Sequence, residues 1–240
     1  MRRETCRLLV LLLALVLLWV VTGLLQMTVL WFAAAIGVSI GYMVKKGGCT
    51  RGEIAAGCVL GLAALPSNPV MGLTTVFAYL GGRCAQRGSG RAIALLCGGR
   101  KQAALSLAAG AAAGTALGVV NIWLASAPMH VSVRVQWFLD ALCAGVAEEV
   151  IFRFLLFALC IRITGDAELS VSGRVLCALI VTLPHTLLHF APSAVDIGSV
   201  VTLCVLFGLP FALLQRRRDL TAAMLAHGVV DLMRFCLLGI

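Results

Sequence analysis

Charged residues are scarce in this sequence of 240 residues: 12% are Asp, Glu, Lys or Arg, whereas 61% are hydrophobic and the mean hydropathy is +1.05. The charged share is about half that of an ordinary soluble domain. Apolar windows of about 18 residues or more recur along the chain, and each is long enough as a helix to cross a bilayer core of about 30 Å. The sequence therefore predicts an all-α fold, a polytopic transmembrane helix bundle of about seven to nine helices.

Acidic residues are especially few, with 10 Asp and Glu against 19 Lys and Arg, which gives a formal net charge of +9. The basic residues are grouped between apolar stretches and form no groove with interleaved aromatic residues, so nucleic acid is not an expected partner. Such groups are typical of cytoplasmic loops that follow the positive-inside rule and contact anionic lipid, which places the N-terminus in the cytoplasm. The groups are Arg2/Arg3/Arg7, Lys45/Lys46/Arg51, Arg83/Arg87/Arg91/Arg100/Lys101 and Arg216/Arg217/Arg218.

The sequence also lacks any CxxC pair, although it contains ten cysteines. Most of them fall in apolar helical windows, where cysteine behaves as a small hydrophobic residue, so we assign them no redox or metal chemistry. Residues 1–21 combine a basic start with an apolar run, as a signal peptide does, but no small-residue cleavage pattern follows. We therefore expect these residues to contain an uncleaved first transmembrane helix.

Apolar windows and turn residues divide the chain into predicted helices. Residues 8–44 form two helices that are divided near Gly23 to Met27. Residues 52–82 lie between two basic loops, so they make either an even number of crossings or a re-entrant hairpin that turns at Leu65 to Pro69. Further helices are predicted near residues 103–124, 134–163, 175–190, 197–215 and 220–238.

The stretch "AGVAEEVIFRFLLF", residues 144–157, places three ionisable side chains inside an otherwise apolar helix. Glu148 lies about 20 Å along this helix, near the bilayer middle, where one ionised side chain costs about 2.5–3.5 kcal/mol to insert. Glu149 and Arg153 have the i, i+4 spacing of a salt bridge, and we expect that pair to support a site. Glu148 has no basic residue three or four positions further on, so its carboxylate is the candidate general base.

Two other apolar helices each contribute a polar pair at i, i+4 spacing. The stretch "LPHTLLHF" contains His185 and His189, and "LAHGVVDLM" contains His227 and Asp231. A single histidine in an apolar helix is most often a hydrogen-bonded packing residue, and His130, in a loop, is interpreted in that way. Together with the helix that carries the two glutamates, however, the two pairs indicate one shared polar site inside the membrane.

In their order along the chain, these residues resemble the three motifs of the CPBP family of intramembrane endopeptidases. This family includes the type II CAAX prenyl endopeptidases and bacterial bacteriocin-processing and self-immunity (Abi) proteins. The family's EExxxR matches Glu148, Glu149 and Arg153, its FxxxH matches the spacing that ends at His189, and its HxxxN or HxxxD matches His227 and Asp231.

The resemblance also sets the expected domain organisation. Residues 1–102 are N-terminal transmembrane helices without a matched motif, and residues 103–240 form a CPBP/Abi-like catalytic helix bundle with a polar active site inside the membrane. The sequence departs from the family at two positions. His185 stands where the family usually has Phe, and Asp231 stands where the prenyl-protease branch has Asn.

The resemblance implies a hydrolase that cleaves a peptide bond of a membrane-associated peptide or protein substrate, with water as the nucleophile and no cofactor. It implies that Glu148 and His189 activate this water and that His227 stabilises the oxyanion. An ionised Asp231 would repel an oxyanion, so Asp231 either orients His227 or donates a hydrogen bond in its protonated form. Glu149 and Arg153 are expected to support the site.

A zinc site is the alternative mechanism, because His185, His189 and Glu148 could supply two imidazoles and a carboxylate, and family members are often described as metalloproteases. The HExxH motif is absent, however, and His185 replaces a family Phe, so we expect no metal. We expect no serine mechanism.

Two other classes of function stay open at this point. One is a non-catalytic membrane scaffold or immunity protein of the same fold, since a fold can persist without turnover. The other is a proton-coupled transporter, which would usually show internal repeats. For every one of these functions the lipid bilayer is an expected partner. The compact size and the basic N-terminus favour a multi-pass protein of a bacterial cell membrane.

Overall fold

The computed structural model describes residues 3–165 and 168–239, and the regular secondary structure of these residues is helical. The α-helices in these ranges are α1 (Arg3–Leu24), α2 (Val29–Lys45), α3 (Arg51–Ala64), α4 (Pro69–Gln86), α5 (Arg100–Ala125), α6 (Val135–Cys143), α7 (Leu155–Thr164), α8 (Val171–Leu187), α9 (Ile197–Leu203), α10 (Leu209–Arg217) and α11 (Leu220–Leu238). A π-helical segment, Ala144–Phe154, joins α6 to α7, and a second one, Cys204–Gly208, joins α9 to α10.

Several of these helices can span a bilayer. Within the described residues, four helical segments are long and apolar enough to do so: α1, α5, the run Ile197–Arg217 that contains α9 and α10, and α11. Large apolar side chains such as Val10, Leu13 and Leu17 of α1 are more than half exposed, as expected for a surface that faces lipid. The prediction of an all-α, polytopic transmembrane helix bundle is confirmed.

Hydrogen bonds bring the basic loops together at one end of the bundle. Nη1 of Arg87 donates to the carbonyl oxygen of Gly48 over 3.0 Å, and Nη1 of Arg91 donates to that of Gly165 over 2.9 Å. The backbone N–H of Leu220 donates to the carbonyl oxygen of Ala94 over 3.0 Å. We call this end, formed by residues 45–51, 86–101, 164–165 and 216–221, the basic end. Its composition is that of a cytoplasmic surface.

Helices α3 and α4 form a helical hairpin between two basic loops, in the region where the sequence predicted either an even number of crossings or a re-entrant hairpin. A capping box at Thr50 begins α3, and the side chain of Asn68 accepts a hydrogen bond from Met71 N to begin α4. The two helices pack closely because Gly61 and Gly72 face each other: a Cβ atom on Gly61 would lie 2.8 Å from the carbonyl oxygen of Gly72. The hairpin turns between Leu65 and Asn68, so α3 and α4 both have one terminus at the basic end.

Close contacts at glycines hold α11 between α5 and the π-helical segment. On one side, Gly114 of α5 packs so closely that a Cβ atom there would lie 2.6 Å from the carbonyl oxygen of Ala226. On the other side, a Cβ atom on Gly145 of the π-helical segment would lie 2.7 Å from the carbonyl oxygen of Met224. Small residues allow such backbone approach where no hydrophobic force drives helix association. This packing brings α11 against the segment that carries the two glutamates.

The helix predicted over residues 134–163 is continuous from Val135 to Thr164, but its centre is π-helical rather than α-helical. A π-helix bonds each N–H to the carbonyl five residues earlier, is usually limited to a single turn, and is frequent at functional sites. Here it covers 11 residues, and both glutamates lie in it. The change of helix type therefore sets the direction of the polar side chains.

Helix α8 ends at Leu187, three residues before the predicted end. The N–H of Leu188 donates to the carbonyl oxygen of His185, and the N–H of His189 donates to that of Thr186, so the chain leaves the α-helix in a tight turn. His185 is therefore on the helix and buried, whereas His189 follows the helix and is exposed. The two histidines do not share one helical face, although their spacing predicted that they would.

Candidate active site

Glu148 and His185 form a direct hydrogen bond between the π-helical segment and α8. Oε2 of Glu148 lies 2.6 Å from Nε2 of His185, and Nη2 of Arg153 lies 3.3 Å from Nδ1 of the same imidazole. A guanidinium can only donate, so Nδ1 of His185 accepts this bond. In a neutral imidazole the proton is then on Nε2, which donates to the Glu148 carboxylate.

Glu149 connects Arg153 to the second helix with a histidine. Its Oε1 accepts a hydrogen bond from Nη1 of Arg153 and lies 2.8 Å from Nδ1 of His227 on α11. The side chain of Glu149 is fully buried, and that of Arg153 is 2% exposed. The salt bridge predicted from the i, i+4 spacing is present, and it also fixes the orientation of the His227 ring.

The other nitrogen of His227 faces two further carboxylates. Its Nε2 lies 3.5 Å from Oε2 of Glu148 and 3.4 Å from Oδ2 of Asp231. Both ring nitrogens are thus beside carboxylate oxygens, which only accept when ionised, and the imidazolium form of His227 can donate on both sides. The ring stacks on Phe211 with the centroids 4.9 Å apart and 15° between the planes, which limits its rotation.

These side chains border one cavity of about 450 Å³ inside the bundle. All four predicted catalytic residues line it: Glu148, His189, His227 and Asp231. The ring centroid of His189 lies 5.0 Å from that of His185, which lines the cavity too. Much of the remaining wall is aromatic, from Phe190, Phe207, Phe211 and Phe235. The cavity combines a polar cluster with walls that suit an apolar segment of a ligand.

The sequence analysis gave no catalytic role to His185. The spacing of the second motif was assigned to His189, which left His185 at the position where the family has Phe. The same spacing can instead end at His185, and Val181 then occupies the Phe position. No local pattern separates the two histidines, because they lie four residues apart in one apolar window. Asn121 and Arg234, which also line the cavity, had no motif to identify them.

His185 does not fit the role of a zinc ligand in this arrangement. Zinc would require the lone pair of Nε2, while the bond from Arg153 already uses the lone pair of Nδ1. An imidazole that ligates a metal through one nitrogen normally donates from the other to a carboxylate or carbonyl. In His185 the second nitrogen, Nδ1, instead accepts a hydrogen bond from the Arg153 guanidinium, which is the reverse of that arrangement.

A comparison with protein families found a match to the type II CAAX prenyl endopeptidase Rce1-like family over residues 130–233. This range contains the π-helical segment, α8 and the part of α11 that bears His227 and Asp231. The comparisons found no match among curated proteins and none among solved structures.

Proposed function

We propose that this chain is an intramembrane endopeptidase of the CPBP family, which hydrolyses a peptide bond of a membrane-associated substrate. The match of residues 130–233 to the Rce1-like family supports this proposal. The observation that carries the proposal is the Glu148–His185 contact at a cavity inside the helical bundle. An ionised carboxylate has about four lone-pair sites, so this contact leaves capacity to hold a water molecule.

In the proposed reaction, Glu148 is the general base. It removes a proton from a water molecule in the cavity as the water oxygen attacks the carbonyl carbon of the scissile bond, and that proton later moves to the leaving amine. His185 holds the carboxylate in place through its Nε2–H. His189, which lines the same cavity, is the second histidine that can polarise the water.

His227 is the proposed donor to the oxyanion of the tetrahedral intermediate. Its imidazolium form carries an Nε2 proton beside Glu148 and Asp231, and Glu149 holds the opposite nitrogen. Removal of one oxyanion donor costs about 2.7–4 kcal/mol in a well-studied protease. Asp231 faces Nε2, so we assign it the role of compensating the positive charge on His227 and orienting this nitrogen.

The proposed mechanism uses no metal. The donors around His185 favour a neutral imidazole that donates to Glu148, and not one that offers a lone pair to zinc. This arrangement supports the expectation from the sequence that no zinc site is formed by His185, His189 and Glu148.

The cavity supports a peptide substrate with an apolar segment. Phenylalanine rings line it beside the polar cluster, so an apolar side chain or a lipid-modified residue next to the scissile bond would be desolvated there. The substrate is therefore proposed to be a membrane-bound peptide or protein that enters with its apolar part in contact with these rings.

Comparative proteomics of membranes tests the proposal. Cells that express Glu148→Gln protein should accumulate an uncut peptide that is cleaved in cells with the wild-type protein. Glu168→Gln is the matched control, because Glu168 is an exposed residue of the loop before α8 and undergoes the same chemical change. Identical peptide profiles for wild-type protein and Glu148→Gln would favour the non-catalytic scaffold.

A further inference from the structure

The cavity of the candidate active site is closed toward the basic end. A void of about 10 Å³ is bordered by Arg153, which also lines the cavity, and by Arg216 of the basic end. This volume is about what a single water molecule needs. Three buried side chains narrow it from α7, α8 and α10: Phe157, Val181 and Ala212. A peptide therefore has no passage from the basic end to the cavity in this structure.

The turns at the other end of the bundle lie together, away from the basic loops. Nε1 of Trp19, near the end of α1, donates to the carbonyl oxygen of Phe190 in the turn after α8 over 3.2 Å. The N–H of His130, after α5, donates to the carbonyl oxygen of Leu237 at the end of α11 over 2.8 Å. We call this end the far end, and its turns are residues 24–29, 65–68, 126–134 and 188–197.

The cavity opens at the far end. Among its described lining residues, the exposed one is His189, which belongs to the far-end turn after α8. Asn121 and Phe235 also line the cavity, in the last turns of α5 and α11, and both of these helices run from the basic end to the far end. No described lining residue belongs to the basic end. Water and an extended chain can therefore reach the polar cluster from the far end.

The distribution of charge assigns the two ends to opposite sides of the membrane. The basic end contains ten Lys and Arg residues, whereas the far-end turns contain one, Arg134. Loops rich in Lys and Arg stay in the cytoplasm, and short loops without them are translocated. This rule places the basic end in the cytoplasm and the opening of the cavity on the opposite, non-cytoplasmic side.

We propose that substrates reach the candidate active site from the non-cytoplasmic side of the membrane, through the opening at the far end. The direction of access depends on the cavity and the charges, whereas the class of substrate also rests on the proposed endopeptidase function. The substrate is a membrane-anchored peptide or protein whose scissile bond lies on the non-cytoplasmic side of its anchor. A cytoplasmic tail would meet the closed layer at Arg153 and Phe157 instead.

The test measures from which side of the membrane the cavity can be reached. Ala144→Cys places a thiol in the cavity wall, four residues before Glu148. Ser193→Cys and Ala92→Cys place thiols at exposed positions of the far end and of the basic end. Cells that express each full-length variant are treated with a membrane-impermeant, permanently charged methanethiosulfonate. Peptide mass spectrometry identifies each modified residue, so the native cysteines stay in place.

In intact cells, Ala144→Cys and Ser193→Cys should be modified at least about tenfold faster than Ala92→Cys, because the apolar bilayer core excludes a permanent charge. In inside-out vesicles Ala92→Cys should be the fast one. Asn121→Cys, on another wall of the cavity, is the second probe if Ala144→Cys does not fold. Modification of the cavity thiol from the same side as Ala92→Cys, or from neither side, would overturn the proposal. Fast modification of Ala92→Cys in intact cells would overturn it as well.

The position of the cut in the substrate tests the class of substrate separately. The peptide that accumulates uncut in cells with Glu148→Gln protein should have its cleavage site on the non-cytoplasmic side of its membrane anchor. A cleavage site in the cytoplasm would contradict the proposed substrate class. If no peptide accumulates although Ala144→Cys is modified from outside, the endopeptidase function fails and the direction of access stands.

Discussion

Oε2 of Glu148 and Nε2 of His185 lie 2.6 Å apart, and Arg153 determines which of the two carries the proton between them. The guanidinium donates to Nδ1 of His185, so the imidazole donates to Glu148 from its other nitrogen. Arg153 also donates to Glu149, which orients His227. One buried arginine therefore sets the geometry on both sides of the proposed base.

His185→Phe is expected to lower the cleavage rate about 10²-fold, because the carboxylate of Glu148 loses the donor that holds it in place. If the second motif ended at His189 instead, position 185 would be the family's Phe position, and His185→Phe would keep full activity. The measurement is the rate of substrate cleavage by purified protein, with folded abundance from size-exclusion chromatography. His189→Ala is compared in the same assay. A His185→Phe protein with the wild-type rate would exclude His185 from the mechanism.

Arg153→Ala is expected to reduce the amount of folded protein, because it removes the guanidinium that pairs with the fully buried Glu149 carboxylate and leaves only His227 beside it. Breaking one side of a buried ion pair typically costs about 3–5 kcal/mol. The control is Arg162→Ala on α7, since Arg162 is exposed. In detergent, the midpoint temperature of thermal unfolding should be clearly lower for Arg153→Ala than for the wild-type protein and almost unchanged for Arg162→Ala. Equal midpoints for the two variants would contradict the role of Arg153 as the buried partner of Glu149.

Gly114→Val should destabilise the bundle, because a Cβ atom at this position would lie 2.6 Å from the Ala226 carbonyl oxygen and 2.8 Å from Cβ of Val229. Overpacking of this kind costs about 1–3 kcal/mol. Gly41→Val on α2 is the control, because nothing lies within 4 Å of a Cβ atom there. If both variants unfolded at the same temperature, the close contact of α5 with α11 would not matter for stability.

Zinc should be absent from the active protein at stoichiometric levels, and a chelator should leave the cleavage rate unchanged. The physical reason is that the bond from Arg153 occupies the lone pair of His185 Nδ1, so Nε2 holds a proton. Elemental analysis of purified wild-type and His185→Phe protein provides the measurement. Loss of both activity and a stoichiometric zinc in His185→Phe would require His185, His189 and Glu148 to be reinterpreted as ligands.

Local patterns in the sequence predicted much of the fold. Hydrophobic windows located the helices, and i, i+4 spacing predicted the contact of Glu149 with Arg153. The basic loops and the turn predicted at Leu65 to Pro69 indicated either an even number of crossings or a re-entrant hairpin in the region of α3 and α4. Each of these features depends on residues that are close in sequence or on the charge of the loops. That is why a single sequence was enough to predict them.

The details of the candidate site depend on contacts between distant segments. A hydrophobic period of 3.6 residues does not distinguish an α-helix from the π-helical turns at Ala144–Phe154. Spacing alone also could not decide whether His185 or His189 meets Glu148, because that depends on how α8 packs against the π-helical segment and on where α8 ends.

The most direct test of the central claim is cleavage in water labelled with ¹⁸O. The substrate identified by proteomics is incubated with wild-type or Glu148→Gln protein in reconstituted vesicles, and the new C-terminal carboxyl group is analysed by mass spectrometry. If Glu148 activates water for peptide hydrolysis, wild-type protein will produce a cut peptide with one ¹⁸O atom in that carboxyl group, and folded Glu148→Gln protein will produce no cut peptide. Labelled product at equal rates from both proteins would contradict the account.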